Sequence, residues 1–124
     1  MIIGVGCDIV EHEATRSLGW SINLNARKRV FSCRELALSS GTHSDLFLSG
    51  RFAGKEAILK CLGTGLIDGV ALKDLEILQN KQGKPFIHIG GEAARIAEKL
   101  GIVKWHISIS HATGFSTAFV LAEG

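Results

Sequence analysis

Apolar positions along the chain follow two periods. At period two, residues 105–110, WHISIS, put Trp105, Ile107 and Ile109 on one face and His106, Ser108 and Ser110 on the other, which predicts a strand. After the short connection His111-Ala112-Thr113-Gly114, residues 115–122 read as a second strand antiparallel to the first. Residues 75–78 and 85–89 form another hairpin around the polar loop 80–84, with Pro85 confined to a strand start or an edge. Residues 1–10, MIIGVGCDIV, are apolar and β-branched and read as a buried strand, with Gly4 and Gly6 interposed and Asp8 breaking the run.

The helical period governs the rest. Leu48, Phe52, Leu59 and Leu62 make an apolar stripe along a long helix that Thr42 or Ser44 can cap and that Gly63 and Gly65 end. EAARIAEKLG predicts an amphipathic helix with Ala94, Ile96, Ala97 and Leu100 inside and Gly101 as its stop. Ser32 followed by Glu35 matches a capping box and opens a shorter helix. Asp68-Gly69 is a turn signal. Residues 11–23 carry no clear period and read as a short helix or a loop around Gly19. Strand, helices, hairpin, helix, hairpin is an α+β order: an antiparallel sheet with packed helices, not a doubly wound fold.

Composition adds bounds. A chain of 124 residues with 46% hydrophobic content predicts one globular domain over 1–124. The net charge of +2 is too small to argue for nucleic acid, and no apolar run approaches the ~18 residues of a membrane span. Three cysteines, Cys7, Cys33 and Cys61, fit no metal spacing, and no secretory leader is visible, so a reduced cytoplasmic chain is expected. Positive charge is uneven: Arg16, Arg27, Lys28, Arg29 and Arg34 form a basic stretch that reads either as a solvated face or as a surface for an acidic partner.

Candidate chemistry concentrates in RFAGKEAILKCLGTG, residues 51–65. Arg51, Lys55, Glu56 and Lys60 crowd two turns, with Glu56 and Lys60 spaced to pair. One carboxylate among three cations suits a divalent metal together with a phosphate. Asp8, near the end of a strand, is the second acid in a patterned context, since a carboxylate buried without a partner is costly. Oxygen ligands of this kind suit Mg²⁺. Lys60 is placed to neutralise a phosphate, and backbone N–H groups around Gly63, Thr64 and Gly65 offer donors, although an ordinary helix C-cap explains the same glycines. His111, on the polar side of a strand end, suits phosphate binding or proton transfer. Cys61 reads as packing, and His12, His43, His88 and His106 share no zinc pattern.

Taken together, these pieces resemble the acyl-carrier-protein synthase family of 4′-phosphopantetheinyl transferases. The resemblance runs nearly end to end: I-G-x-G-x-D-I at residues 3–9, R-F-A-x-K-E-A with Lys60 and L-G-T-G within 51–65, D-L-E-I at 74–77, G-K-P at 83–85 and S-I-S-H at 108–111. It implies transfer of the phosphopantetheine arm of coenzyme A to a serine of apo acyl carrier protein, releasing adenosine 3′,5′-bisphosphate. It implies Mg²⁺ held by Asp8 and Glu56, and catalytic roles for Asp8, Glu56 and Lys60, with Glu56 the candidate base either directly or through a water on the metal. Coenzyme A contacts are implied at Lys60, Gly63, Thr64, Gly65, Pro85 and His111, and a homotrimer with sites between subunits. One segment departs from the family. After the first strand the family commonly continues with an I-x-R-like segment, whereas residues 12–20 here are different and contain Gly19, which bears on the carrier-docking surface. An idle module that binds coenzyme A or a carrier protein, and a magnesium-dependent hydrolase of nucleotide pyrophosphates, are the alternatives.

Overall fold

A computed structural model of the chain describes residues 1–39, 44–63 and 69–124, with Ser44 in backbone only. Its elements are β1 (Ile2–Glu11), α1 (His12–Arg16), α2 (Leu24–Val30), α3 (Cys33–Leu38), α4 (Ser44–Leu62), β2 (Leu75–Gln79), β3 (Pro85–Ile89), α5 (Gly91–Leu100), β4 (Lys104–Ala112) and β5 (Phe115–Glu123). One sheet has the order β1-β5-β4, antiparallel throughout; β2 and β3 pair separately as an antiparallel hairpin. The α+β reading holds. Thr42, Thr64, Gly65 and Asp68 lie outside the described residues, and with them the helix cap expected at Thr42 and the turn expected at Asp68.

Helix α4 packs across β1 and β5, and the first strand is built to admit it. A Cβ on Gly6 would collide with the carbonyl oxygen of Ala57, and one on Gly4 would stand 2.5 Å from that of Cys61. Removing two side chains lets helix and strand backbones come closer than any larger residue allows. Ala118, Val120 and Ala122 of β5 and Ala53, Ala57 and Ile58 of α4 complete this buried layer.

The first strand is not buried on both faces, as its apolar run suggested. Gly6 and Val10 point inward, while Val5 and Ile9 are exposed beside Phe115 and Phe119. Alternation explains this: only one face of the sheet carries helices.

One further reading needs correction. In α5 the buried residues are Ala93 and Ala97; Ala94 and Ile96 are half-buried and Leu100 is exposed, so the apolar stripe is rotated from the expected set. Residues 11–23, read as a short helix or a loop around Gly19, contain both: the helix α1 and a turn that buries Trp20 edge-on against Phe31 and Phe52, with centroids 5.0 and 5.3 Å away. One aromatic anchor, without a period, organises this segment.

Candidate active site

Asp8 and the end of α4 meet. Asp8 sits at the register of Ala118 with its side chain one-fifth exposed, and Lys60 Nζ lies 3.1 Å from its Oδ1 and donates to the Cys7 carbonyl at 2.7 Å. The Lys60 side chain is 55% exposed, so the pair adds little stability, about 0–1 kcal/mol, and mainly fixes where the ammonium points. Glu56 does not pair with Lys60 as its spacing suggested: among the described residues it has no ion pair, because Lys60 reaches across to the strand. Burial pushes the Glu56 carboxyl above its ordinary value, the nearby Asp8 charge pushes it further, and Lys60 opposes both. Two carboxylates repelling each other beside one cation form an oxygen donor set that a hard divalent cation relieves. No third His, Cys, Asp or Glu joins them among the described residues, so water or phosphate oxygens would complete the shell of such an ion. Gly63, at the end of α4, has φ +67° and donates its N–H to the Lys60 carbonyl at 3.3 Å, the left-handed stop expected of it.

Arg51 and Lys55 do not share that face. Lys55 is fully buried on another side of α4, against Glu35. Arg51 is nine-tenths buried, lies 3.8 Å over the Phe47 ring and donates from Nη2 to Gln79 Oε1 at 3.2 Å. Its Nε finds no partner among the described residues. Desolvation lowers the Arg51 guanidinium to about 10. The cluster of one acid and three cations is therefore one acid pair and one cation. The helix is packed on most sides, and towards its end Glu56 and Lys60 reach the surface beside β1.

His111 lies in strand β4 rather than in a connection, and it shares the inward face with Ile107 and Ile109 rather than the polar face of Ser108 and Ser110. Its Nδ1 is 2.7 Å from Ser116 Oγ, and its ring packs over Gly50, where a Cβ would stand 2.7 Å from Cε1. Ser116 Oγ is also 2.7 Å from His12 Nε2. Extending the WHISIS alternation by two residues would have placed His111 correctly; nothing in the sequence signals Ser116 or His12 as its partners. His111 is two strands from β1, ~10 Å across the sheet, and its neighbour Gly50 is ~9 Å along α4 from Glu56. Pro85, the first residue of β3, lines a cleft of about 520 Å³ with Lys84, Phe86, Lys104 and Trp105. Within one chain, then, Asp8, Glu56, Lys60 and Gly63 form one group, with His111 and Pro85 apart from it. Thr64 and Gly65 lie outside the described residues.

Cys61 is packing: its Sγ lies 3.4 Å from the Val120 carbonyl, and burial pushes the thiol up to about 11. In the basic stretch, Arg27 donates to the Trp20 carbonyl and Arg34 pairs with Glu76 at 2.6 Å, leaving Arg16, Lys28 and Arg29 exposed.

The chain belongs to the 4′-phosphopantetheinyl transferase superfamily, whose profile matches residues 4–120. Within that class it is similar to the holo-[acyl-carrier-protein] synthase of Hydrogenovibrio crunogenus, with 41% identity over 124 residues, covering 99% of this chain and 98% of that one. The crystal structure of holo-[acyl-carrier-protein] synthase from Neisseria meningitidis superposes with a TM-score of 0.89 at 30% identity, covering 100% of both chains. The ACPS–CoA complex of Chronobacterium ammoniagenes superposes at 0.83 with 29% identity, covering 96% of this chain and 95% of that one.

Proposed function

We propose that this chain transfers the 4′-phosphopantetheine arm of coenzyme A to a serine hydroxyl of apo acyl carrier protein. The observation that carries the reading is the convergence of Asp8, Glu56 and Lys60 where α4 meets β1, in a chain of this superfamily. Two relatives support it: one is a holo-[acyl-carrier-protein] synthase along nearly its whole length, and another is a complex with CoA.

The serine oxygen forms a bond to the phosphorus that bears the pantetheine arm. The bond from that phosphorus to the bridging oxygen breaks, and adenosine 3′,5′-bisphosphate leaves with the electron pair. Lys60, with its ammonium half in solvent, binds the pyrophosphate as charge builds on the leaving oxygen. Glu56, whose burial favours the protonated form, is placed to hold the serine proton. Asp8 and Glu56 are the residues that would hold Mg²⁺, which when bound supplies positive charge to the cleaving pyrophosphate. Gly63, Pro85 and His111, with Thr64 and Gly65, make the coenzyme contacts in this reading.

The assembly is a homotrimer. Its support is an exposed apolar sheet face, Val5, Ile9, Phe115 and Phe119, and the separation of His111 and Pro85 from Asp8 within one chain, which a site shared between subunits resolves. Arg16, Lys28 and Arg29 face the acidic carrier protein. The setting is the cytoplasm, in keeping with the unpaired Cys7, Cys33 and Cys61; among the described residues no helix is long and apolar enough to cross a membrane.

The test is the intact mass of an apo acyl carrier protein after incubation with this chain, coenzyme A and Mg²⁺, with an EDTA control. A gain of one phosphopantetheine, lost in EDTA, is expected. No gain across several apo carriers, with coenzyme A still bound, would replace the transferase with a binding module.

A further inference from the structure

Apart from the carboxylate site, the fold buries a polar centre that the proposed transfer step does not use. Ser116 has no solvent exposure, and its hydroxyl stands 2.7 Å from His111 Nδ1 and 2.7 Å from His12 Nε2. The hydroxyl has one proton to give. If both rings donated to it, that proton would be buried without an acceptor, which is costly; if both rings awaited it, one would go without. So one ring donates to Ser116 Oγ and the other receives from it.

Two arrangements satisfy this rule. In the first, His12 Nε2–H donates to Ser116 and Ser116 donates to His111 Nδ1, so both rings carry their proton on Nε2. In the second, His111 Nδ1–H donates to Ser116 and Ser116 donates to His12 Nε2, so both carry it on Nδ1. The serine thus locks the two rings into the same tautomer. Burial, and the positive charge of Arg51 nearby, hold His111 below the ordinary imidazole value, which favours the neutral ring that has a tautomer to select.

We propose that His12 and Ser116 are positioning residues that hold His111 in the Nε2–H form, so that its remaining nitrogen donates to a phosphate of coenzyme A. This rests on the transferase reading for its ligand, and two observations favour the first arrangement. Arg51, nine-tenths buried and with its Nε unpartnered among the described residues, adds positive charge around His111, which draws an anion rather than a cation to that place. His111 itself stays accessible while its Nδ1 is engaged, so Nε2 is the atom left for a ligand. Thr15 anchors the arrangement from below: its hydroxyl donates to the His12 carbonyl at 2.9 Å and lies 2.8 Å from the buried Ser49 hydroxyl. His12 is also where the sequence leaves the I-x-R-like pattern, so that departure reaches the coenzyme side of the site.

The test combines histidine tautomer spectra with kinetics on the full chain. Long-range proton–nitrogen spectra of ¹⁵N-histidine protein at pH about 8, where imidazoles are neutral, are expected to show His111 as a single Nε2–H tautomer, and Ser116→Ala is expected to show a mixture. In Ser116→Ala, KM for coenzyme A rises roughly tenfold, the weight of one hydrogen bond to a charged group, while kcat and the KM for carrier protein stay within about twofold. His12→Leu repeats that pattern, and His12→Gln, whose amide N–H still donates to Ser116, restores most of the affinity. His111 found as Nδ1–H, or an unchanged tautomer and KM in both Ser116→Ala and His12→Leu, overturns the proposal. Wild-type protein that shows the Nε2–H lock but transfers nothing upholds the network and overturns the transferase reading instead.

Discussion

Lys55 Nζ lies 2.7 Å from Glu35 Oε1, and neither side chain has any exposure to solvent. Lys55 also donates to the Leu72 and Leu75 carbonyls, at 2.9 and 2.8 Å, so its three protons meet three acceptors. Glu35 accepts from the Ser32 and Ile77 N–H groups, both at 3.0 Å, the first being half of the capping box that opens α3. One ion pair therefore fastens α3, α4 and β2 together.

Removing one partner should be severe. Glu35→Leu is expected to cost about 3–5 kcal/mol, because it leaves an uncompensated buried ammonium whose pKa desolvation already lowers. The double variant Glu35→Leu/Lys55→Met should be more stable than the single one. Urea unfolding of the three proteins measures both; a cost below about 1 kcal/mol for Glu35→Leu would deny the pair its structural role.

Glu56→Gln separates site from fold. It removes a carboxylate whose pKa is raised in the folded state, a charge the native chain holds at a cost above the ordinary glutamate range, so the thermal midpoint should hold or rise. Transfer should fall by at least about a hundredfold. Mg²⁺ should raise the midpoint of the wild type and not that of the variant. Near-normal turnover in Glu56→Gln would sink the metal assignment.

Two glycines should respond differently to alanine. At Gly6 the new Cβ meets the backbone oxygen of Ala57, which cannot step aside, so Gly6→Ala should cost about 1–3 kcal/mol or more in a thermal melt. At Gly50 it meets the His111 ring, which can move. Gly50→Ala should fold normally and raise the KM for coenzyme A; an unaltered KM would argue that the ring has no ligand to meet.

Acid stability should report on Glu76. The hydrogen bond from Arg34 lowers its carboxyl to about 2; burial opposes, while the Ser32 hydroxyl, the Arg34 charge and His88 add to the lowering. A depressed folded value gives stability that is complete above the unfolded glutamate range and fades as pH falls towards about 2. Glu76→Gln should flatten the stability profile over that window. An unchanged slope in chemical denaturation at stepped pH would contradict it.

The apolar outer sheet face should govern assembly. Phe119→Glu is expected to convert the proposed trimer to monomer in light scattering and to abolish transfer while the circular dichroism spectrum persists. A wild-type monomer that is fully active would remove the shared site.

The strands were legible in outline because alternation and turn residues are local signals. Trp105, Ile107 and Ile109 face inward as their spacing predicts, and Pro85 starts its strand. Asp8 and Glu56 stood out as acids in apolar or helical contexts, and they do lie close. What could not be read is set by partners far along the chain. Lys55 looked like a site cation because its consort, Glu35, is twenty residues away, and the helix packs on sides that periodicity assigns to solvent. Leu100 was expected inside because the stripe in α5 is wide, and only the docked helix shows which edge is used. His111 depends on Ser116 across a turn and on His12 from the opposite end of the chain, contacts that no spacing rule contains.

The strand that carries Asp8 finds its sheet neighbour far along the chain. Its ladder partner is β5, and the Thr117 hydroxyl that holds the Asp8 carbonyl at 2.9 Å comes 109 residues later. During synthesis β1 must therefore wait, apolar and without a sheet partner, until β5 has left the ribosome. Pairing so distant is slow to nucleate, and an unpaired strand edge is prone to join the wrong chain. The carboxylate site is thus framed by a strand that a growing chain cannot supply until long after Asp8 and Glu56 have themselves been made.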